Sequence, residues 1–290
     1  MTNDQPDMCR FLRGLFPPEY GRRLILMLQA FVDASKPKDG SVVSVAGFVG
    51  IGSEWSKFQR AWRRKRKELQ LEYFHMTDFM SGQAKPYKDW TEDRRQGVMT
   101  RLIQLINLHL WFGVAVAANV ADFTALRDEK RILCGKNIYA LCAAQCIGIV
   151  SRALVEEKID EPVAWVFEAG DKGEPEFTSA MGHLCATKES ARRALQVFTI
   201  APGSKKDIAP LDAADFLAWE SVQHLPEPVG DKLILKESKP YIKRLTLDLP
   251  SLYMYRGNIG SWSSQLTTKQ TAVIPAMFRI ELMCIFDLLR

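Results

Sequence analysis

The chain has 290 residues, 47% of them hydrophobic and 25% charged, a composition that argues against intrinsic disorder and predicts a full hydrophobic core. Its formal net charge of +5 and pI near 8.8 permit a polyanionic partner without requiring one. No Cys-x-x-Cys pair occurs among the six cysteines, which argues against a disulfide framework or a zinc ribbon. Cys142 and Cys146, four residues apart in an apolar helical pattern, are predicted to be buried.

The N-terminal region predicts neither a secretory signal nor a membrane span. Its longest apolar run, Leu24–Val32, is far shorter than the ~20 residues of a spanning helix. It also lacks the basic region, apolar run and small-residue cleavage site of a signal peptide. We therefore expect a cytoplasmic protein without a membrane partner.

Five apolar runs have the length of buried strands. They are Leu24–Asp33, Val42–Val49, Trp111–Asn119, Pro162–Phe167 and Leu195–Ile200. The short turn between the first two predicts an antiparallel hairpin. Helical patterns fill the intervals, and their predicted first residues or caps are Ser53, Thr91 and Pro210. A further helix is predicted over Phe177–Ala191.

A hairpin followed by alternating helices and strands is typical of an α/β fold with a mixed five-stranded sheet flanked by helices. Residues 1–23 are predicted to be a polar lead-in, and residues 24–224 the core. Residues 225–290 are predicted to be a mostly helical extension packed on the core. Its last helix, Ala276–Leu289, is apolar on several sides, so it packs on the sheet or forms a homodimer.

Three acids are notable for their positions. Asp33 ends the first strand, Glu168 follows a later strand directly, and Asp215 lies inside an apolar helix together with Asp212. Carboxylates in apolar surroundings are costly unless they are paired or coordinated, and a hard divalent cation such as Mg²⁺ or Mn²⁺ prefers their oxygens. The alternative is that these acids begin turns, cap helices or bond neighbouring backbone groups.

Several familiar motifs are missing. The Gly-rich stretch 47–52 does not match the dinucleotide fingerprint Gly-x-Gly-x-x-Gly, and no phosphate-binding P-loop is present. Neither His-Glu-x-x-His nor Gly-x-Ser-x-Gly occurs. The sequence thus argues against nucleotide-cofactor enzymes, zinc proteases and serine hydrolases with a nucleophile elbow.

An ordered set of short segments spans about residues 24–224. They are Phe31–Ser35, Val45–Val49, Trp55 with Phe58 and Trp62, Phe74–Asp78, Val166–Asp171 and Pro210–Glu220. On these segments the chain resembles the bacterial domain-of-unknown-function family numbered 3800, whose members are regarded as ribonuclease-H-like. Each segment is short, so the specificity of the resemblance comes from their joint order.

The resemblance implies that Asp33, Glu168 and Asp215 are metal ligands of a ribonuclease-H-like core, with His75 and Asp78 near the site. Two departures from the family pattern are visible: Ala34 stands where the family has Glu, and Asp212 stands where it favours Gln. We expect the added carboxylate of Asp212 to compensate as a further metal ligand. Asp171 is expected to assist by orientation or proton transfer.

Basic and aromatic residues are candidates for contact with nucleic acid. They are Arg63, Arg64, Lys67, Lys205, Lys206 and Trp219. Lysine and arginine neutralise phosphates, and tryptophan stacks on bases. The basic run Arg63–Lys67, which includes Arg66, could instead be a solvated helix face, and His75 could equally be a half-buried histidine bonded to backbone.

The sequence therefore predicts a divalent-metal-dependent nuclease acting on DNA or RNA. Asp33, Glu168, Asp215 and Asp212 are the predicted ligands, and His75 and Asp171 complete the predicted catalytic set. Ala34 supports an alternative, a catalytically degenerate relative that binds nucleic acid or a protein partner. A third possibility is an enzyme acting on another phosphate compound, such as a nucleotide.

Overall fold

The opening hairpin and four later strands form one six-stranded mixed sheet in the computed structural model. The structure describes residues 27–125, 137–223, 228–229, 232–233 and 252–257. All five predicted strands are observed, as β1 (Leu28–Ser35), β2 (Val42–Ile51), β3 (Phe112–Asn119), β4 (Val163–Glu168) and β5 (Val197–Gly203). The described part of residues 225–290 consists of strands β6 (Pro228–Val229), β7 (Lys232–Leu233) and β8 (Leu252–Gly257). The lead-in 1–23 and the predicted helix Ala276–Leu289, with its possible dimer contact, lie outside the described residues.

The strands follow the order β5-β4-β1-β2-β3-β8 across the sheet. Strand β2 is antiparallel to both of its neighbours, whereas β1 with β4, β4 with β5, and β3 with β8 are parallel. The hairpin prediction is therefore confirmed, as is the mixed α/β sheet. In the β1–β4 pair, Val32 lies opposite Phe167, so the next residues, Asp33 and Glu168, come to the same end of the sheet.

Helices connect the strands and cover both faces of the sheet. They are α1 (Gly52–Glu68), α2 (Met76–Ser81), α3 (Glu92–His109), α4 (Val120–Ala125), α5 (Ile138–Glu156), α6 (Glu174–Thr187), α7 (Glu189–Ala194) and α8 (Pro210–Gln223), with a 3₁₀ turn at Tyr87–Asp89. One hydrophobic core lies between the sheet and α1, α2, α3 and α8. A second core lies on the opposite face, under α5 and α6. Both faces of the sheet are thus buried, which explains its nearly continuous apolar strands.

Two helix boundaries differ from the prediction. Helix α1 begins directly at the end of β2, with Ile51 as its N-cap residue; Ser53, the predicted cap, lies within the first turn. The helix predicted over 177–191 is divided at Lys188 into α6 and α7. Thr91 does cap α3, since its hydroxyl accepts from Arg94 N at 3.3 Å.

Aromatic side chains fill the core beneath α1. Trp55 packs edge-to-face on Phe31, with ring centroids 4.7 Å apart, and its indole N–H donates to the Gln29 carbonyl at 2.9 Å. Trp62 packs in the same way on Phe74. Such pairs add about 0.5–1.5 kcal/mol beyond the area they bury, and they fix α1 over the middle of the sheet.

Helix α5 is long and apolar enough to cross a membrane by length and composition, but 78% of its apolar window is buried inside the protein. Cys142 and Cys146 lie on it as free, buried thiols, and their Sγ atoms approach the carbonyls of Val43 and Val45 on β2. The prediction that these two cysteines are small core residues is confirmed.

Candidate active site

Three carboxylates meet at the end of the sheet where β1 and β4 finish. Asp33 lies on β1 and Glu168 is the last residue of β4. Asp215 reaches them from α8, which packs across β1 and β2. Asp33 and Asp215 are only 2% and 4% exposed. The acids that the sequence singled out from separate segments are therefore neighbours in space.

Lys205 lies between these acids. It belongs to the turn after β5, and its ammonium Nζ is 2.7 Å from Asp33 Oδ2 and 3.3 Å from Asp215 Oδ1. Its backbone N–H bonds to the Glu168 carboxylate. With 8% of its surface exposed, Lys205 is a largely buried counter-ion of the cluster, and its contact with nucleic acid stays a prediction.

The remaining carboxylate oxygens differ in what they bond. Asp33 Oδ1 accepts from the backbone N–H of Ala34 at 2.7 Å, and Asp215 Oδ2 accepts from that of Met76 at 2.6 Å. Glu168 Oε2 is buried and has no hydrogen-bond partner among the described residues. Backbone N–H groups thus orient all three acids, and Glu168 in addition presents an oxygen without a partner in the described part of the chain.

The acids face an open cavity of about 350 Å³. Its walls are polar and come mainly from the ends of β1 and β4 and from the start of α2. The lining residues are Asp33, Ala34, Ser35, Lys36, His75, Thr77, Glu168, Ala169, Gly170, Asp171, Lys205 and Asp215. Gly170 adopts a φ of 109°, a conformation in which other residues are strained, and it lets the chain turn away beside the acids.

Burial dominates the electrostatics of the cluster. Burial raises the pKa of Glu168 to about 7, against the opposing charge and backbone bond of Lys205. It also raises the pKa of Asp33, with Lys205 again opposing. For Lys205 burial acts to lower the pKa, but the charges of Asp33, Asp215 and Glu168 outweigh it and the pKa is raised. The lysine therefore stays charged, whereas Asp33 and Glu168 hold their protons more tightly than usual.

Two predicted assisting groups lie at the rim of the cavity. Asp171 is partly buried, which raises its pKa, and its carboxylate pairs with Lys36 Nζ at 3.7 Å. His75 lines the cavity, and its Nδ1 is 3.0 Å from Asp78 Oδ2. This contact orients the imidazole and leaves Nε2 as the ring atom available for proton exchange.

Asp212 does not join the cluster in the cavity. It is fully buried, and its Oδ2 accepts from the indole N–H of Trp62 at 2.8 Å and from Phe74 N at 3.2 Å. Arg66 Nη1 lies 3.5 Å from the same oxygen. Burial raises the pKa of Asp212 to about 7 although Arg66 and Trp62 oppose it. Its placement makes it a link between α8, α1 and the segment before α2, and it does not line the cavity; its metal-ligand role stays a prediction.

Of the residues predicted to contact nucleic acid, some are exposed and others bond or pack within the protein. Arg64 and Lys67 are exposed on α1, but Arg63 donates to the Asp207 carbonyl and Lys206 pairs with Glu72 at 3.2 Å. Trp219 packs against the core beneath α1 and does not line the cavity. Arg66, from the same basic run, is only 5% exposed and forms an ion pair with Asp212.

The donor set fits a hard divalent cation, because it offers carboxylate oxygens, one of them buried and unsatisfied. In the described ranges, however, no group of three His, Cys, Asp or Glu residues is arranged to hold an ion. Instead, the ammonium of Lys205 bridges Asp33 and Asp215. This role of Lys205 was not predicted from the sequence. Its only signal was a lysine pair shortly before the Asp212–Asp215 helix.

Comparison with known proteins adds no family assignment. A scan against protein-family models gives no match, and a search of curated proteins gives none either.

Proposed function

We propose that this protein is a divalent-metal-dependent nuclease that hydrolyses phosphodiester bonds in DNA or RNA on a ribonuclease-H-like core. The observation that carries the proposal is the convergence of Asp33, Glu168 and Asp215 on one open, polar cavity. The mixed sheet with helices on both faces is compatible with that core, and the resemblance to the family numbered 3800 supports the same three residues as ligands.

In this proposal Asp33, Glu168 and Asp215 hold Mg²⁺ or Mn²⁺. When bound, the cation supplies a water of lowered pKa and charge stabilisation at the leaving oxygen. His75, oriented by Asp78, exchanges a proton with the reacting water or the leaving group. Lys36, exposed at the rim beside Asp171, attracts the phosphate backbone without reading sequence.

Cleavage assays test this proposal. Labelled single- and double-stranded DNA, RNA and a hybrid are incubated with Mg²⁺, Mn²⁺ or EDTA. Wild type is compared with Asp33→Asn and Asp215→Asn, and the matched control is Asp160→Asn, an exposed acid far along the chain. We expect metal-dependent cleavage that is lost in the first two variants and kept in the control. Cleavage that survives in Asp33→Asn or in EDTA would contradict the proposal.

The second candidate is a catalytically degenerate protein that binds nucleic acid or a protein partner. Lys205 favours it, because its ammonium already satisfies Asp33 and Asp215, and Ala34 replaces the family's glutamate. Salt-sensitive binding of nucleic acid by folded wild type, without cleavage of any substrate, would support this candidate over the nuclease.

A further inference from the structure

The positive charge nearest to the three acids of the cavity is the ammonium group of Lys205. Lys205 contacts all three acids, Asp33 and Asp215 through its ammonium and Glu168 through its backbone N–H. Its own carbonyl accepts from Arg66 at 3.3 Å, so the turn that carries it is tied to α1. This lysine is held in place from both its side chain and its backbone.

The charges of the cluster do not balance with one lysine. When ionised, Asp33, Glu168 and Asp215 carry three negative charges against one positive charge on Lys205, while Lys36 serves Asp171 separately. The deficit equals the charge of one divalent cation. Such an ion approaches carboxylate oxygens to about 2.0–2.1 Å in the case of Mg²⁺, so it competes with, and is repelled by, an ammonium already in contact with Asp33 Oδ2 and Asp215 Oδ1.

We propose that Lys205 competes with the divalent cation: its ammonium occupies Asp33 and Asp215 in the metal-free protein and moves into the cavity when the cation binds. The inference rests on the proposed function and assigns a role within the same site. In the displaced position the ammonium faces the polyanionic substrate, where a phosphate oxygen replaces the carboxylates as its partner. Without the cation, Lys205 then compensates part of the negative charge of the three carboxylates. Once the cation is bound, the ammonium of Lys205 contacts the substrate.

Metal affinity of the full-length chain is the primary test. Mn²⁺ binding is measured by calorimetry for wild type, Lys205→Met and Lys205→Arg. Removing the competing charge should tighten Mn²⁺ binding by about tenfold or more in Lys205→Met, whereas Lys205→Arg, which keeps the charge, should not bind more tightly than wild type. Equal or weaker binding by Lys205→Met, or no binding by any of the three, overturns the inference.

A labelling measurement on wild type does not depend on the variants folding. The amine-reactive reagent acetic anhydride is applied with and without Mn²⁺, and modification is read by mass spectrometry. Lys205 should react slowly without metal and faster with it, while Lys88 and Lys172, both exposed, report the general reactivity of amines. Unchanged reactivity of Lys205 at saturating Mn²⁺ overturns the inference.

Cleavage by the same samples separates this inference from the proposed function. We expect Lys205→Met to bind metal more tightly yet cleave more slowly, a split that a purely structural lysine would not produce. If metal binding follows the expected order and no sample cleaves any substrate, the nuclease proposal fails and the competition stands. If wild type cleaves but Lys205→Met gains no affinity, only the competition fails.

Discussion

At the scale of single residues, the three carboxylates of the site are chemically alike but differ in their hydrogen-bond and ion-pair partners. Asp33 and Asp215 each bond a backbone N–H and an ammonium, whereas Glu168 keeps one buried oxygen without a partner among the described residues. A buried unsatisfied carboxylate destabilises the protein that holds it when it ionises. The stability of the metal-free protein should therefore respond to the ionisation of Glu168.

The pH dependence of this response has a defined sign. The pKa of Glu168 is raised to about 7, against about 4.3 in an unfolded chain. As pH rises between these values, the unfolded state loses its proton first, so the free energy of unfolding decreases and is lowest above about pH 7. We expect the melting temperature in EDTA to fall between about pH 5 and pH 8, and to fall less in Glu168→Gln. An equal fall in both proteins would contradict the assignment.

Asp212 illustrates a structural role for a residue that the sequence marked as functional. Replacing it by Ala leaves the Arg66 guanidinium, 5% exposed, without its counter-ion. Breaking a buried pair from one side costs about 3–5 kcal/mol, so Asp212→Ala should lower the free energy of unfolding in urea by about that amount. Asp160→Ala, at an exposed position, should change it by less than about 0.5 kcal/mol. A loss below about 1 kcal/mol in Asp212→Ala would refute the structural role.

The acids of the site could be predicted from the sequence, but their bonding partners could not. Strand-end acids were visible because each followed an apolar run, but the partner of each acid was not. Asp212 and Asp215 share one helical stretch, and only the positions of Trp62, Arg66 and Met76 in space separate their roles. Long-range pairs of this kind leave no local signal, so Arg66 and Lys205 were placed with the surface cations.

At the scale of secondary structure elements, the middle of β2 needs a glycine. A Cβ on residue 47 would overlap the carbonyl oxygen of Phe31 on the neighbouring strand. The strand boundaries themselves were predictable, because buried strands are short apolar runs. Their order across the sheet was not, since parallel neighbours such as β1 and β4 are far apart in the chain.

This close approach gives a matched pair of alanine substitutions. Gly47→Ala should cost at least about 3 kcal/mol, because backbone must move to admit the methyl group. Gly97→Ala, inside α3 with nothing within 4 Å of the new Cβ, should instead raise stability by about 0.5–1 kcal/mol. Urea unfolding of both variants checks the pair; a tolerated Gly47→Ala would show that β1 and β2 are further apart than described.

At the scale of the whole molecule, exposed basic side chains gather on the layer of helices that covers one face of the sheet. Arg64 of α1 and Arg101 of α3 line a shared groove of about 520 Å³, and in the described parts of the chain neither has an ion-pair partner. The net charge of +5 is compatible with a polyanionic partner but does not locate its binding surface. The packing of α1 on α3 brings these two arginines to one groove.

Phosphate contacts in this groove would make binding sensitive to salt. Arg64→Gln and Arg101→Gln should each weaken binding of a labelled oligonucleotide whatever its sequence, and reduce the slope of log affinity against log salt by about 0.7–0.9. Lys188→Gln, exposed where α6 meets α7 on the opposite layer, should leave the slope unchanged. Fluorescence anisotropy over a salt series measures all three, and equal slopes throughout would exclude the groove.

The central position of β1 also affects how the chain can mature on a ribosome. One neighbour, β2, begins at Val42, but the other, β4, begins only at Val163. At about 5–20 residues per second, that interval lasts on the order of ten seconds. During it an apolar strand edge has no native partner and is open to intermolecular pairing. The nascent hairpin should therefore be prone to aggregation, and yield in cells should depend on chaperone capacity and growth temperature.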